Sequence, residues 1–291
     1  MSVDGRLASP TESHITMGNA VATLSHINLT LHQPTATLRQ FVKDYWFISS
    51  TAGSPLQTEY LPADTGSGIN FNFGSSMIMG DMIIQHGCAV SGPNPSAMPL
   101  RIGAHVDAVG IRFHPGMAYP FFQEPIADFL SPAEPHAPLS QRLALTEVYD
   151  QLASTTSSAE RTQILNDWLL NQLASSLGVQ THLVRALNWL EQQSQGSISN
   201  LPHHINLGQR QIERLFKQWV GISPSHYRRI MRVNTVRSRL QKNVQTIKLS
   251  DEAMRAGYFD QAHMNREFKR IVGLTPGQYI RCLNRDEINS K

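Results

Sequence analysis

The chain has 291 residues, of which 41% are hydrophobic, and this excludes a disordered protein while allowing one large or two ordinary domains. Its first twenty residues lack the basic start and apolar run of a secretory signal, and no stretch approaches the roughly 20 apolar residues that a membrane helix needs. Two cysteines far apart exclude a disulfide framework and a cysteine-rich zinc site. We therefore expect a cytoplasmic protein without membrane contact; the alternative is a secreted protein that lacks its signal peptide.

Charge is distributed unevenly along the chain. Residues 1–180 hold 7 Lys and Arg against 14 Asp and Glu, a net charge of −7, whereas residues 181–291 hold 18 against 8, a net charge of +10. An acidic half beside a basic half predicts one module that binds a polyanion and one that does not. Charge alone leaves nucleic acid and an anionic membrane surface open as the polyanion.

The acidic half is predicted to begin with a flexible polar tail, residues 1–20, and to continue as a series of short strands. Apolar runs rich in aromatic and β-branched residues alternate with clusters of Gly, Ser and Pro, and this spacing is typical of a β-sandwich or barrel. The predicted strands are Phe41–Ile48, Ile69–Phe73, Met77–Met79, Met82–Ile84 and Ala108–Phe113.

Helical spacing replaces the strands after Pro138. Apolar residues recur every three to four positions over about 139–177, which predicts an amphipathic helical pair. This pair either forms a dimer interface or covers the open side of the β-structure. A domain boundary is expected near 176–182, so that residues 21–178 form one domain and residues 181–291 the next.

The basic half contains an internal repeat. A helix that begins near Gln209 has one apolar face and ends at Gly221, and a long helix of roughly 27 Å follows it to about Lys242. A shift of 52 residues then superposes this pattern on the last part of the chain, apart from a one-residue slip in the turns. The shift takes Arg214, Phe216, Gly221 and Ser223-Pro224 to Arg266, Phe268, Gly273 and Thr275-Pro276.

The repeat defines two helix-turn-helix units, at about 198–221 and 249–273, joined by the long helix. The second helix of such a unit can enter the major groove with its N-terminal polar residues at the base edges. Gln, Asn and Arg are the residue types that bind adenine or guanine through two hydrogen bonds. The alternative is an ordinary helical domain with a solvated basic face.

The segment 257–270, with 273–279 after it, resembles the signature of AraC/XylS-type transcriptional regulators, and the similarity covers about 181–282. The first unit departs from the family pattern at Pro202, where Ala is usual, and at Gly208, where Ser is usual. The resemblance implies double-stranded DNA as a partner, and RNA polymerase as well if the protein is an activator. It implies base-facing positions at Gln209, Arg210, Gln211, Glu213 and Arg214 in the first unit, and at Gln261, Ala262, His263, Asn265 and Arg266 in the second.

Basic side chains elsewhere on these helices are candidates for phosphate contacts, which fix the register of the protein on DNA without reading its sequence. For Arg266 a second role is open, namely a salt bridge to Glu267 or Glu252 within the fold. The phosphate candidates are Lys217, Arg228, Arg229 and Lys269.

Residues 38–135 resemble one subgroup of the N-terminal domains of the same family. The resemblance implies a cupin-like β-barrel that senses a small molecule or mediates homodimer formation. His105, Asp107 and His114 superficially resemble an iron site of two histidines and one carboxylate. They do not stand where the usual cupin ligands do, so we predict no metal, no cofactor and no catalytic residue. The similar motifs are Val42-x-x-Tyr45-Trp46, Leu61–Asp64, Ser91–Pro93 and Val109–Gly116.

The predicted fold is therefore α+β. An N-terminal cupin-like β-barrel or sandwich with a helical pair precedes an all-α domain of two helix-turn-helix units. The predicted function is sequence-specific regulation of transcription, modulated by a small molecule or by dimerisation, and not catalysis. The alternative is a cupin-type enzyme or ligand carrier whose basic half binds nucleic acid only non-specifically.

Overall fold

The computed structural model describes residues 27–50, 57–102, 105–131, 133–175, 178–192, 198–242 and 248–289. The predicted tail, residues 1–20, lies outside them. In the described part of the chain β-strands come first and α-helices follow, which confirms the predicted α+β class. None of the described helices is both long and apolar enough to cross a membrane.

The strands form two antiparallel sheets. They are β1 (Ile27–His32), β2 (Val42–Ser50), β3 (Gln57–Leu61), β4 (Gly68–Asn72), β5 (Met77–Met79), β6 (Met82–Ile84), β7 (Gly87–Ser91), β8 (Met98–Ile102) and β9 (Asp107–Phe113). One sheet has the order β1-β2-β9-β4-β7 and the other the order β3-β8-β5-β6. Both sheets end in edge strands across the described residues, so the β-structure is a sandwich, and the predicted alternative of a closed barrel is wrong.

Helices cover the outer face of the five-stranded sheet. A short helix, α1 (Tyr119–Phe122), is followed by α2 (Ala137–Leu143), α3 (Leu145–Ala153) and α4 (Ser158–Ala174). The sequence predicts a pair of helices here, but Ala144 adopts the left-handed conformation (φ 51°) and divides the first of them. Trp168 of α4 meets Phe71 of β4 edge-on, with ring centroids 6.2 Å apart. The helices thus cover the outer face of one sheet rather than an open side of the β-structure, and a dimer interface stays a prediction.

Polar contacts fix α4 on the sheet. The guanidinium of Arg161 binds both carboxylate oxygens of Asp107, at 2.6 and 2.9 Å, and lies 4.5 Å from the ring centroid of Phe73. On the neighbouring strand, the Tyr45 hydroxyl donates a hydrogen bond of 3.0 Å to Oδ1 of Asn166. Buried polar groups need such partners, because an unmet hydrogen bond in the interior is costly.

From residue 181 the described chain is helical. It contains α5 (Thr181–Gln192), α6 (Leu201–Ile205), α7 (Gln209–Trp219), α8 (Pro224–Lys242), α9 (Leu249–Arg255), α10 (Gln261–Val272) and α11 (Pro276–Asn289). The helices α6 and α7 form the first predicted helix-turn-helix unit, α9 and α10 form the second, and α8 is the long helix between them. The helix α9 begins at Leu249 without a side-chain cap, and the Ser250 hydroxyl donates to Oδ1 of Asp251.

The second helix of each unit, α7 and α10, is called its reading helix. The apolar faces predicted for these two helices are buried. Their hydrophobic residues recur with the helical period and pack into the core, which leaves the opposite face of each helix to solvent. The buried residues are Ile212, Leu215, Phe216 and Trp219 in α7, and Met264, Phe268, Ile271 and Val272 in α10.

One hydrophobic core runs across the predicted domain boundary. It includes buried residues of the five-stranded sheet, of α3 and α4, and of every helix from α5 to α11. At the junction, the ring of Tyr119 in α1 stacks on Trp219 of α7, with centroids 4.3 Å apart. The two predicted domains are thus packed against each other, and the acidic half contacts both helix-turn-helix units.

Candidate nucleic-acid interface

The first reading helix, α7, presents a polar face at its N-terminal end. Gly208 is the N-cap and has no side chain to offer, so Oε1 of Gln211 accepts its backbone N–H at 2.9 Å instead. This contact holds one of the predicted base-facing side chains against the start of its own helix. All five predicted positions of this unit are exposed: Gln209, Arg210, Gln211, Glu213 and Arg214.

The second reading helix, α10, begins with a side-chain cap. Oδ1 of Asp260 accepts the backbone N–H of His263 at 2.6 Å. Gln261, Ala262 and Arg266 are exposed, as a base-reading role requires, whereas His263 and Asn265 are half-buried. Oδ1 of Asn265 is itself buried without a hydrogen-bond partner among the described residues. This side chain is therefore less accessible to a base in the major groove than its exposed neighbours are.

The salt bridges suggested for Arg266 are already used by other arginines. The carboxylate of Glu267 binds Arg232 of α8 at 2.6 Å, and the carboxylate of Glu252 binds Arg239 of α8 at 2.8 Å. Arg266 is exposed and makes no ion pair with any described residue. This arrangement favours the base-reading role of Arg266 over the structural one.

The four phosphate candidates fall into two groups. Lys217 of α7 and Lys269 of α10 are exposed at repeat-related positions. Arg228 and Arg229 are half-buried on α8, and Nη2 of Arg229 donates to Nδ1 of His226. Arg229 therefore points toward the junction with the β-sandwich rather than freely into solvent.

His226 itself connects the two halves of the protein. Its Nε2 lies 2.7 Å from the carbonyl oxygen of Pro95 in the loop between β7 and β8. Burial lowers the pKa of His226, which favours the neutral ring. A neutral ring with its proton on Nε2 satisfies both contacts, because Nε2 then donates to Pro95 and Nδ1 accepts from Arg229.

Side chains of α8 connect this helix to the second unit and to α5. Arg232 forms the ion pair with Glu267, and its guanidinium lies 4.2 Å from the ring centroid of Tyr258. Near the other unit, the Tyr227 hydroxyl donates a hydrogen bond of 2.9 Å to Glu191 of α5, and burial raises the pKa of this tyrosine. The long helix is thus more than a spacer, because it fixes the orientation of its neighbours.

The β-sandwich contacts the turn that follows each reading helix. Gly221 and Gly273 stand at repeat-related positions and both have left-handed backbones, with φ of 89° and 88°. A Cβ on Gly221 would lie 2.9 Å from Cδ of Pro93, and a Cβ on Gly273 would lie 3.1 Å from Cβ of Tyr60. Glycine is required at both turns by the backbone and by the closeness of the sandwich.

Two backbone hydrogen bonds complete this docking. The N–H groups of Ala63 and Ala97 donate to the carbonyl oxygens of Ile271 and Arg270, at 2.6 and 2.9 Å. The acceptors are among the last carbonyls of α10, which have no partner within the helix. The sequence gives no signal for these contacts beyond the family-like motifs Leu61–Asp64 and Ser91–Pro93, whose role was open.

A cavity of about 180 Å³ lies between the two sheets. Its wall is mostly apolar and includes Trp46, Ile48, Met77, Met79, Met98 and Leu100. Polar groups stand at one side of it. The hydroxyl of Ser67, in a residue only 4% exposed, has no hydrogen-bond partner among the described residues. Burial also raises the pKa of Asp44, another residue of the wall.

An ion pair lies in the wall of the same cavity. Nε of Arg112 binds Oδ2 of Asp64 at 2.6 Å. Burial alone would raise the pKa of Asp64, but the charge and hydrogen bond of Arg112, together with Lys43 and the Gly66 N–H, outweigh it and the pKa is lowered. Because Asp64 follows Ala63 directly, the cavity wall is continuous with the loop that docks on α10.

The candidate iron ligands are not brought together. Both carboxylate oxygens of Asp107 are bound by Arg161, and His105 lies in a turn with φ of 63°. No group of three His, Cys, Asp or Glu that could hold a metal ion occurs in the described ranges.

The chain is similar to known proteins in both halves. A protein-family model described as "Helix-turn-helix domain" matches residues 202–281, and a second family model, described as "Domain of unknown function (DUF6597)", matches residues 30–132. The fold and the first match define a helix-turn-helix protein.

Curated relatives narrow the class. The transcriptional activator RhaR of Yersinia pseudotuberculosis is 31% identical over an alignment of 148 residues. The alignment covers 45% of this chain and 50% of that protein. RhaR of Klebsiella pneumoniae is 30% identical over 141 residues, 48% of this chain and 44% of that protein. The chain thus spans about half the length of these relatives. Together with the repeat and its signature residues, these matches make the chain similar to helix-turn-helix regulators of the AraC type.

Among solved structures, ToxT of Vibrio cholerae aligns with a TM-score of 0.45 at 8% identity, over 89% of this chain and 99% of that one.

Proposed function

We propose that the protein is a sequence-specific, DNA-binding regulator of transcription whose reading helices α7 and α10 enter successive major grooves of one duplex. The observation that carries the proposal is the pair of repeat-related helices, each with a buried apolar face and an exposed polar face. The 19 residues of α8 between them span about 28 Å, close to the roughly 34 Å of one DNA turn. A single chain can therefore read two sites without forming a dimer.

The charge and the relatives support this proposal. The surplus of ten positive charges lies in the half that contains both units, as a DNA-binding module requires. RhaR, to which about half of the chain is similar, is named as a transcriptional activator. By this likeness we propose activation, with RNA polymerase as a protein partner and the cytoplasm as the location.

We further propose that the cavity between the sheets binds a small effector. Its apolar wall suits a largely apolar molecule, and the unpartnered hydroxyl of Ser67 and the buried carboxyl of Asp44 suit one polar group on it. The cavity is lined by Leu61, Pro62 and Asp64 and by residues 91–94, which adjoin the contacts with the turns at Gly221 and Gly273. Occupancy of the cavity would thus be transmitted to both units through one layer of residues.

The experiment that tests the function is the selection of bound fragments from genomic DNA, followed by nuclease footprinting. We expect a protected site of defined sequence with two half-sites. Binding should also depend steeply on salt, with a log–log slope of magnitude at least ~4, because several phosphates are neutralised. No common sequence among the selected fragments would favour the alternative, a cupin-type enzyme or ligand carrier that binds nucleic acid only non-specifically.

The division into residues 21–178 and 181–291 is a proposal as well. The second part has its own apolar faces, so we expect purified 181–291 to fold and to protect the same site. If this fragment is unfolded, the junction packing around Trp219 is essential to the fold and the chain is one unit.

A further inference from the structure

The turn of the first helix-turn-helix unit is short. After α6, Asn206 adopts the left-handed conformation (φ 57°), Leu207 follows, and Gly208 is already the N-cap of α7. The one apolar residue of this turn, Leu207, packs against the hydrophobic core. The apolar side chain of this turn therefore contributes to the packing of the protein and is not left in solvent.

The turn of the second unit is one residue longer when it is counted from its left-handed residue to the N-cap. Ala256, the C-cap of α9, comes before that residue. After α9, Gly257 adopts the left-handed conformation (φ 74°), and two apolar residues, Tyr258 and Phe259, come before Asp260, the N-cap of α10. This additional residue accounts for the one-residue slip in the repeat. Of the two apolar side chains, that of Tyr258 is buried and that of Phe259 is exposed.

Tyr258 takes the place that Leu207 has in the first unit. It is 3% exposed, its ring lies below the guanidinium of Arg232, and it meets the His263 ring edge-on at 5.3 Å. Phe259 is left outside and is 88% exposed, the highest exposure of any large hydrophobic side chain in the described residues.

The fold offers Phe259 a partner that it does not use. An apolar residue just before an N-cap commonly packs on the fourth residue of the helix, which here is Met264. Met264 is fully buried among other core residues, and Phe259 has no ring contact with any described aromatic residue. The aromatic ring therefore stabilises nothing in the protein itself, and it is free to contact a partner.

The position of this ring indicates the partner. Phe259 adjoins the N-terminal end of α10, the end that meets base edges in a helix-turn-helix complex. Exposed Ala262 in the first turn of the helix adds a second small apolar surface, while Oδ1 of Asp260 is occupied by the backbone N–H of His263. In the major groove, the apolar group that a base pair presents is the 5-methyl group of thymine.

We propose that Phe259, with Ala262, reads thymine through its 5-methyl group in the half-site of α10. This inference rests on the proposed function, because it requires α10 to enter the major groove. It assigns to the second unit an apolar contact that the first unit lacks.

The test removes the methyl group and the ring separately, in the full-length protein on a site selected from genomic DNA. Each thymine of the α10 half-site is replaced singly by deoxyuridine, which differs only in lacking the 5-methyl group. For the wild-type protein we expect about a fourfold loss of affinity at one or two thymines, as for the burial of one methyl group. For Phe259→Ser we expect weaker binding to the unmodified site and no further loss at those positions.

A matched control variant is Met254→Ser, since Met254 is also apolar and is 69% exposed, but on α9. It should keep the wild-type response to deoxyuridine. Because both side chains are exposed, all variants should have the melting temperature of the wild type.

The outcomes separate this inference from the proposed function. If the wild-type protein selects no common sequence, the proposed function fails. If it selects a site but Phe259→Ser keeps the full response to deoxyuridine, the thymine contact is wrong. Unchanged DNA binding by Phe259→Ser with a loss of transcription in a reconstituted assay would likewise overturn the contact with DNA and assign the ring to a protein partner such as RNA polymerase.

Discussion

The two helix-turn-helix units share one sequence pattern but are stabilised differently. At the position where α7 has Leu215, which is buried against the core, α10 has Glu267, which is 10% exposed and paired with Arg232. The first unit is fixed by apolar and aromatic packing, with Trp219 on Tyr119 at its end. The comparison teaches that one backbone geometry can be maintained by apolar burial in one copy and by a nearly buried ion pair in the other.

The largest effect is expected from breaking that ion pair. Arg232→Met leaves the Glu267 carboxylate without its partner, and this should lower the free energy of unfolding by about 3 kcal/mol. The double variant Arg232→Met with Glu267→Leu makes the second unit resemble the first, and its stability should return to that of the wild type or exceed it. Urea unfolding of the three proteins measures both effects; a double variant as unstable as the single one would contradict the comparison.

The repeat-related arginines of the reading faces should affect base preference rather than stability. Arg266→Ala is expected to reduce discrimination against single-base changes by 1–3 kcal/mol, roughly 5- to 150-fold, in the α10 half-site only. Arg214→Ala should do the same in the α7 half-site. Binding to matched and altered sites is measured together with the melting temperature. A folded Arg266→Ala protein with unchanged base preference would show that this residue does not read bases.

Substitutions at Gly221 and Gly273 test how closely the turn after each reading helix packs on the β-sandwich. Gly221→Ala and Gly273→Ala should each lower the free energy of unfolding by about 1–2 kcal/mol, because alanine is strained in the left-handed region. The loss should be greater for Gly221, where the new Cβ would lie 2.9 Å from Pro93, whereas the shortest contact at Gly273 would be 3.1 Å. Gly178→Ala is the control, since a Cβ there would have no neighbour within 4 Å. Equal stability of all three variants would contradict both the backbone strain and the close contact with the sandwich at these turns.

The smallest effect is expected from the exposed lysines. Lys217→Ala and Lys269→Ala should each weaken binding to every sequence about equally and reduce the salt slope by about 1. Filter binding over a range of salt concentrations measures this. If only one lysine changes the slope, the two units do not approach the phosphates in the same way.

Local patterns made much of the helical half predictable. The period of the apolar residues determined which faces of α7 and α10 are buried, and Asp260 and Ser223 act as the caps that their positions suggest. In the β-sandwich, β2, β4, β5, β6 and β9 correspond to predicted strands. The strands β1, β3, β7 and β8 were not predicted. In β7, Gly87–Ser91 consists mainly of small residues, and its pairing with β4 determines its conformation.

Contacts between distant segments were not predictable. The loops that contain Ala63 and Ala97 are about two hundred residues from the α10 carbonyls they bind, and nothing local to either segment indicates the pairing. For Phe259, a local pattern is present but suggests the wrong environment. An apolar residue before a helix normally indicates a core contact, and only the longer turn, with Tyr258 inside, places its ring outside.

The docking of both glycine turns on one rigid sandwich has a consequence for the DNA. Neither unit can move independently without giving up its contacts near Gly221 or Gly273. One added base pair between the half-sites would shift one of them by about 3.4 Å and rotate it by roughly 34° around the duplex. The protein should therefore measure the helical phase of its operator as well as its sequence, and accept one spacing between half-sites far better than the neighbouring ones.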